Sequence, residues 1–199
     1  MALAVQADAE VVDGGCCKDD VSTLSRIGSR LSEDNDFIVL SGGSSLGEGD
    51  VTSSALTHAG AVVEELKIAV KPGKPAVVGN LGETSILGLP GNPLAAFVSW
   101  FVLGRSMMAA MFGLQLPILR GRDLAVLNEL QRRPGRVEFV PARLVRTTHG
   151  EMVEFLSGGS GRLSPLSRAE GLACIEEARG SVLVSDRVTF VPFEDGEPL

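Results

Sequence analysis

Cysteine is scarce in this chain of 199 residues, occurring only as Cys16, Cys17 and Cys174. An odd count, an adjacent pair and no CxxC spacing exclude a disulfide framework and a zinc site of ordinary ligand spacing. Histidine is rarer still. His58 and His149 stand far apart with no partner motif, so no Ser–His or Cys–His catalytic pair is expected. Positive charge is in deficit, with a net charge of −7 and a pI near 4.9, which argues against non-specific nucleic-acid binding. The short cluster Arg132, Arg133 and Arg136 reads, on so acidic a chain, as a solvated turn. Long apolar runs are also lacking. The most membrane-like stretch, "PLAAFVSWFVLGRSMMAAMFGL" (93–114), is interrupted at Arg105, so it reads as a buried helix at a subunit interface, with no membrane partner. The opening "MALAVQADAEVVD" has neither a basic start nor a long apolar core, so no signal peptide is expected and the cytoplasm is the simplest compartment.

What is present is a change of pattern partway along. "DDVSTLSRIGSRLSED" (19–34) spaces Val21, Leu24, Ile27 and Leu31 by three and four, the mark of an amphipathic helix with acidic residues at its start. "DFIVLS" (36–41) is a continuous apolar run, as in a strand covered on both faces. A short helix over 50–60, a strand over 61–70, two short strands around Gly82 and a helix over 93–112 follow. Strands alternating with helices predict a three-layer α/β domain with a mostly parallel sheet over residues 1–116. From Pro117 onward, short strand-like runs alternate with "PG", "HG", "GGSG" and "RG" turns, which predicts a small all-β barrel domain over 117–199. The first strand of a doubly wound sheet is expected to be missing, since "MALAVQAD" resembles the end of a helix.

Three loops follow apolar strands: "SGGSSLGEGD" (41–50), "KPGKP" (71–75) and "LPGNP" (89–93). In open parallel sheets, ligands bind beyond the carboxyl ends of the strands, so these loops are candidates for one pocket. In the first, Gly42, Gly43 and Gly47 free the backbone for close approach, while Ser41, Ser44 and Ser45 add hydroxyls suited to an oxyanion or phosphate. Asp50 has two readings, a cap for the next helix or a magnesium ligand beside a phosphate. The second loop holds Lys71 and Lys74, two of only four lysines, fixed by the Pro72–Gly73 turn; it is either a surface turn or an oxyanion clamp. The third sets Gly91 and Asn92 between Pro90 and Pro93, a stiff turn that starts the helix and exposes N–H groups.

"DFIVLSGGSSLGEGD", "AVKPGKP" and "GLPGNPLAAFVSWFVLGRSMMAAMFG", in this order, resemble the molybdopterin molybdenumtransferase family, including the E domain of gephyrin. "SGGSGRLSPLSRAEG" is similar, more weakly, to its small C-terminal β-barrel domain, with Glu170 where the family usually has Asn. The resemblance implies insertion of molybdate into adenylylated molybdopterin with Mg2+ and release of AMP. It implies catalytic roles for Asp50, Lys71 and Lys74, with Asp50 at the metal. Ser41, Gly42, Gly43, Ser44, Ser45 and Gly47 match the glycine loop, and Pro90, Gly91, Asn92 and Pro93 the pterin loop. It further implies a homodimer whose subunits jointly complete the site, and hence poor turnover by a chain lacking the family's N-terminal domains. Two alternatives stay open: a molybdopterin adenylyltransferase, and a truncated, non-catalytic pterin-binding or scaffold module.

Overall fold

A computed structural model describes residues 2–5, 8–42, 51–66, 68–73, 76–114, 120–148, 150–156 and 163–193. In chain order the elements are α1 (Ala2–Val5), α2 (Val21–Leu31), β1 (Phe37–Ser41), α3 (Val51–His58), β2 (Val62–Leu66), β3 (Val70–Lys71), β4 (Ala76–Leu81) and β5 (Thr84–Leu89). A long helix follows as α4 (Pro93–Ser99), a π segment (Trp100–Gly104) and α5 (Arg105–Met111). Then come β6 (Arg122–Ala125), β7 (Val137–Thr147), β8 (Gly150–Phe155), β9 (Gly171–Ile175) and β10 (Arg187–Pro192).

The first sheet has the order β1-β5-β4-β2. Only β1–β5 pairs in parallel, whereas β5–β4 and β4–β2 are antiparallel, so the mostly parallel sheet is corrected to a mixed one among the described residues. The cause is the turn at Gly82, whose φ of 62° lets β4 and β5 close a two-residue hairpin, which can join only antiparallel strands. β1 is an edge strand, not one covered on both faces, and Val39 is 41% exposed. The predicted strand 61–70 is likewise two pieces, and the second piece, β3, leaves this sheet altogether.

Alternating side chains sort the first sheet into two faces. Ile38, Val77 and Ile86 pack with Leu56 under α2 and α3, while Leu87 and Leu89 pack with Trp100 and Met108 of the long helix. The three layers are thus helices, sheet and long helix. α2 starts where the sequence pattern places it, with the Asp20 carboxylate accepting from the Thr23 N–H at 2.8 Å.

The second sheet runs β3-β7-β9-β10-β6, with β8 on the other side of β7. It curls until Val126, just after β6, bridges Val153 of β8, and the Leu127 N–H donates to Val153 O at 2.8 Å. Among the described residues β6 and β8 share no ladder, so the expected barrel is corrected to a curled sheet that is not closed. Its concave face buries Val140, Phe155, Ile175 and Phe190; its convex face presents Phe139, Leu172 and Val191 to Leu94, Val98 and Phe101 of the long helix.

That packing explains why helix 93–111 is apolar nearly all round: one face meets each sheet of the same chain. The sequence argument for a subunit interface on this helix is therefore answered within the chain. By length and composition the helix could cross a membrane, contrary to the argument from Arg105, but half of its apolar window is buried inside the structure. The Arg105 guanidinium lies 5.0 Å from the Phe101 ring centre. The π segment has a steric partner in Gly104, where a Cβ would stand 2.5 Å from the Trp100 ring.

Candidate functional site

The ends of β1 and β5 lie side by side, because their parallel register pairs Ser41 with Leu89. The loops leaving them consequently meet. The Ser41 hydroxyl donates to Pro90 O at 3.3 Å, the Gly42 N–H to Leu89 O at 3.4 Å and the buried Thr52 hydroxyl to Gly42 O at 3.1 Å. Gly42 has a φ of 104°, and a Cβ on Gly91 would stand 3.6 Å from its Cα. Glycine at 42 is therefore required by backbone conformation. Asn92 caps α4, its side-chain oxygen accepting from the Ala95 N–H at 3.1 Å, with Pro93 in the first turn. Gly91, Asn92 and Pro93 are exposed while Pro90 is buried, so the turn offers its outer rim to solvent. Gly43, Ser44, Ser45, Gly47 and Asp50 lie outside the described residues, as does Lys74.

Lys71 is held by the other sheet. β3 pairs in parallel with β7, setting Lys71 beside Glu138, and the ammonium lies 2.8 Å from the Glu138 carboxylate. That carboxylate is 11% exposed and also accepts from Arg132 at 3.0 Å. The Arg132 guanidinium is 1% exposed and spends its other donors on the carbonyls of Glu176, Arg136 and Arg179. Lys71, Gln131, Arg132, Arg133, Pro134 and Arg136 together line an open cleft of about 570 Å³, large enough for a small ligand. Arg133 and Arg136 are exposed and have no ion pair among the described residues.

Arg133 and Arg136 lie on a solvated turn as the sequence suggests, at the edge of a cleft shared with Lys71, whereas Arg132 departs from that expectation because Glu138 and three carbonyls bury its guanidinium. A signal for this was present. "KPGK" (71–74) and "RPGR" (133–136) share a basic–Pro–Gly–basic pattern, and the fold brings Lys71 of the first to the second. The loop of Lys71 also touches the long helix, since a Cβ on Gly73 would stand 3.3 Å from the Ser99 hydroxyl. Six residues separate Ser99 from Pro93, about 9 Å along a helix at 1.5 Å per residue. Glu170, the departure from the family pattern, is used structurally: its carboxylate accepts from the Leu144 N–H at 2.9 Å.

Two contacting strand-end loops and a basic cleft, linked through one helix, are thus set on an α/β fold. Residues 1–110 match the family described as "Probable molybdopterin binding domain", and residues 124–193 that of the "MoeA C-terminal region (domain IV)". The chain belongs to the family of molybdopterin-binding domains. It is 30% identical over 197 residues to the molybdopterin molybdenumtransferase of Haemophilus influenzae, covering 96% of this chain and 48% of that one. It is 34% identical over 183 residues to molybdopterin molybdenumtransferase 2 of Mycobacterium tuberculosis, covering 89% and 45%. The fold superposes on a molybdopterin biosynthesis MoeA protein of Pyrococcus horikoshii with a TM-score of 0.77 at 22% identity, covering 98% of this chain and 48% of that one. The chain spans about half the length of the curated relatives it matches.

Proposed function

We propose that this chain acts in molybdenum cofactor biosynthesis as the pterin- and molybdate-binding part of a molybdopterin molybdenumtransferase. The observation that carries the reading is the basic cleft: Lys71, fixed by Glu138, faces a space flanked by Arg133 and Arg136. Four cationic side chains line the cleft against the one carboxylate of Glu138, an excess of positive charge on a chain of net charge −7 that suits a doubly charged oxyanion. The exposed rim at Gly91–Asn92 takes the pterin phosphate through its backbone N–H groups, while Ser41 and Gly42 hold the two loops together behind it. In this reading residues 1–116 form the pterin-binding unit and residues 117–199 the β unit that supplies the arginines. The chain contributes position and charge: it holds the oxyanion beside the pterin and offsets its negative charge while the pterin's thiol sulfurs displace an oxygen of molybdate, which leaves as water with the thiol protons.

Magnesium fits as an ion carried by the substrate. Among the described residues no group of three His, Cys, Asp or Glu side chains gathers, and magnesium is commonly held by one or two carboxylates together with substrate phosphates. Asp50, directly before the first residue of α3, would be the protein ligand. An ion held by Asp50 would supply Lewis-acid neutralisation of the phosphate charge. The reading also carries a homodimer, with a second subunit completing the site, and a reducing cytoplasm, in which the exposed Cys16 and Cys17 stay free.

The test is calorimetric titration with adenylylated molybdopterin and with molybdate, with AMP release assayed in parallel. Lys71→Ala combined with Arg136→Ala is expected to weaken molybdate binding at least a hundredfold, since each charge-assisted contact contributes about 1.5–3 kcal/mol. Unchanged affinity in that double variant rejects the cleft as the oxyanion site. Pterin binding by the wild type without AMP release supports a binding module in place of a complete enzyme.

A further inference from the structure

Ser99 is 3% exposed, and its hydroxyl is the one buried side-chain polar atom without a hydrogen-bond partner among the described residues. A helical serine ordinarily returns its hydroxyl to the carbonyl four residues back, here that of Ala95, and this one does not. Alanine would suit the position better on every structural count. It has the higher helix propensity, it occurs at the neighbouring positions Ala95 and Ala96, and it would leave no buried oxygen unsatisfied.

The hydroxyl does have a neighbour. It lies under Gly73, where a Cβ would come within 3.3 Å of it, and Gly73 adopts a φ of 144° that side chains rarely take. Gly73 lies two residues beyond Lys71, whose ammonium is tied to Glu138. An oxyanion entering the cleft competes with Glu138 for that ammonium and pulls on the turn. The atom best placed to receive the shifted backbone is the unsatisfied Ser99 oxygen, which can accept from an N–H or donate to a carbonyl.

We propose that Ser99 is a positioning residue for the Lys71 turn. Its hydroxyl, without a partner among the described residues, bonds the backbone of Gly73 once an oxyanion occupies the cleft, and so fixes Lys71 against the anion. The inference rests on the cleft being the oxyanion site. An unsatisfied oxygen retained in a core is the kind of local cost that accompanies function, and it yields a signature that packing alone does not.

The test compares the wild-type chain with Ser99→Ala and Ser99→Thr by thermal melting without ligand and by calorimetric titration with molybdate. Ser99→Ala is expected to melt higher, by about 2–4 °C, and to bind molybdate about tenfold more weakly, a loss of about 1.4 kcal/mol. Ser99→Thr, which keeps the hydroxyl, is expected to bind within about twofold of the wild type. Equal affinity of wild type and Ser99→Ala overturns the inference while leaving the cleft intact. A Ser99→Ala chain that both melts lower and binds more weakly overturns it too, because Ser99 is then a packing residue. Failure of the wild type to bind molybdate at all removes the proposed function and this inference with it.

Discussion

At the scale of single residues, Glu138 does the most. One carboxylate, mostly buried, restrains an exposed lysine from one turn and a fully buried arginine from another. Removing its charge leaves Arg132 buried with carbonyls alone, a loss of about 2–3 kcal/mol, less than for a fully buried pair because Lys71 stays 46% exposed and solvent screens it. Glu138→Gln is therefore expected to lower the urea midpoint and to raise molybdate affinity at first contact, since Lys71 is freed from its intramolecular competitor. Urea titration and calorimetry on the same sample check both signs, and a variant as stable as the wild type contradicts the account. Little of this was legible beforehand. Gly42, Gly91 and the two prolines announce themselves because their backbone constraints are intrinsic. A glutamate on a strand carries no such mark, and its importance arises only from the register that sets it beside Lys71.

At the scale of elements, helices and their ends were read well and strand partners were not. α2 begins at the predicted acidic start because a cap is a local event. Hydrogen bonds from the Thr23 hydroxyl, the Thr23 N–H and the Ser22 hydroxyl hold the Asp20 carboxyl below its ordinary value of 3.8. The sign follows directly. A carboxyl whose folded pKa is depressed contributes stability above its unfolded value, and that contribution is lost as pH falls through the folded value. Protection of the first-turn amides of α2, taken relative to the intrinsic exchange rate at each pH, is thus expected to fall on acidification below about pH 4, and Asp20→Ala to show the low protection already at pH 7. Exchange that is equally slow in Asp20→Ala at pH 7 contradicts the cap. Sheet direction, by contrast, is decided by what lies between strands. The Gly82 turn forces an antiparallel hairpin, and β3 departs to pair with β7 more than sixty residues away. No periodicity within 61–71 encodes that departure.

At the scale of the whole molecule, the long helix is the common core. Its opposite faces bury against the two sheets, so the strand-end loops of one and the arginines of the other are held in a fixed relation through the same rod. The apolar circumference that suggested a second subunit is the sequence trace of this arrangement, and it could not by itself distinguish a partner chain from a second sheet of the same chain. As a consequence Lys71 of one sheet edge and Arg133 and Arg136 of the "RPGR" turn line one cleft. Molybdenum scatters X-rays anomalously at its absorption edge, so crystals of this chain soaked in molybdate locate the anion without assumption. The account predicts an anomalous peak within hydrogen-bond reach of Lys71 and Arg136. A molybdate peak held elsewhere on the chain, with the cleft unoccupied, contradicts it.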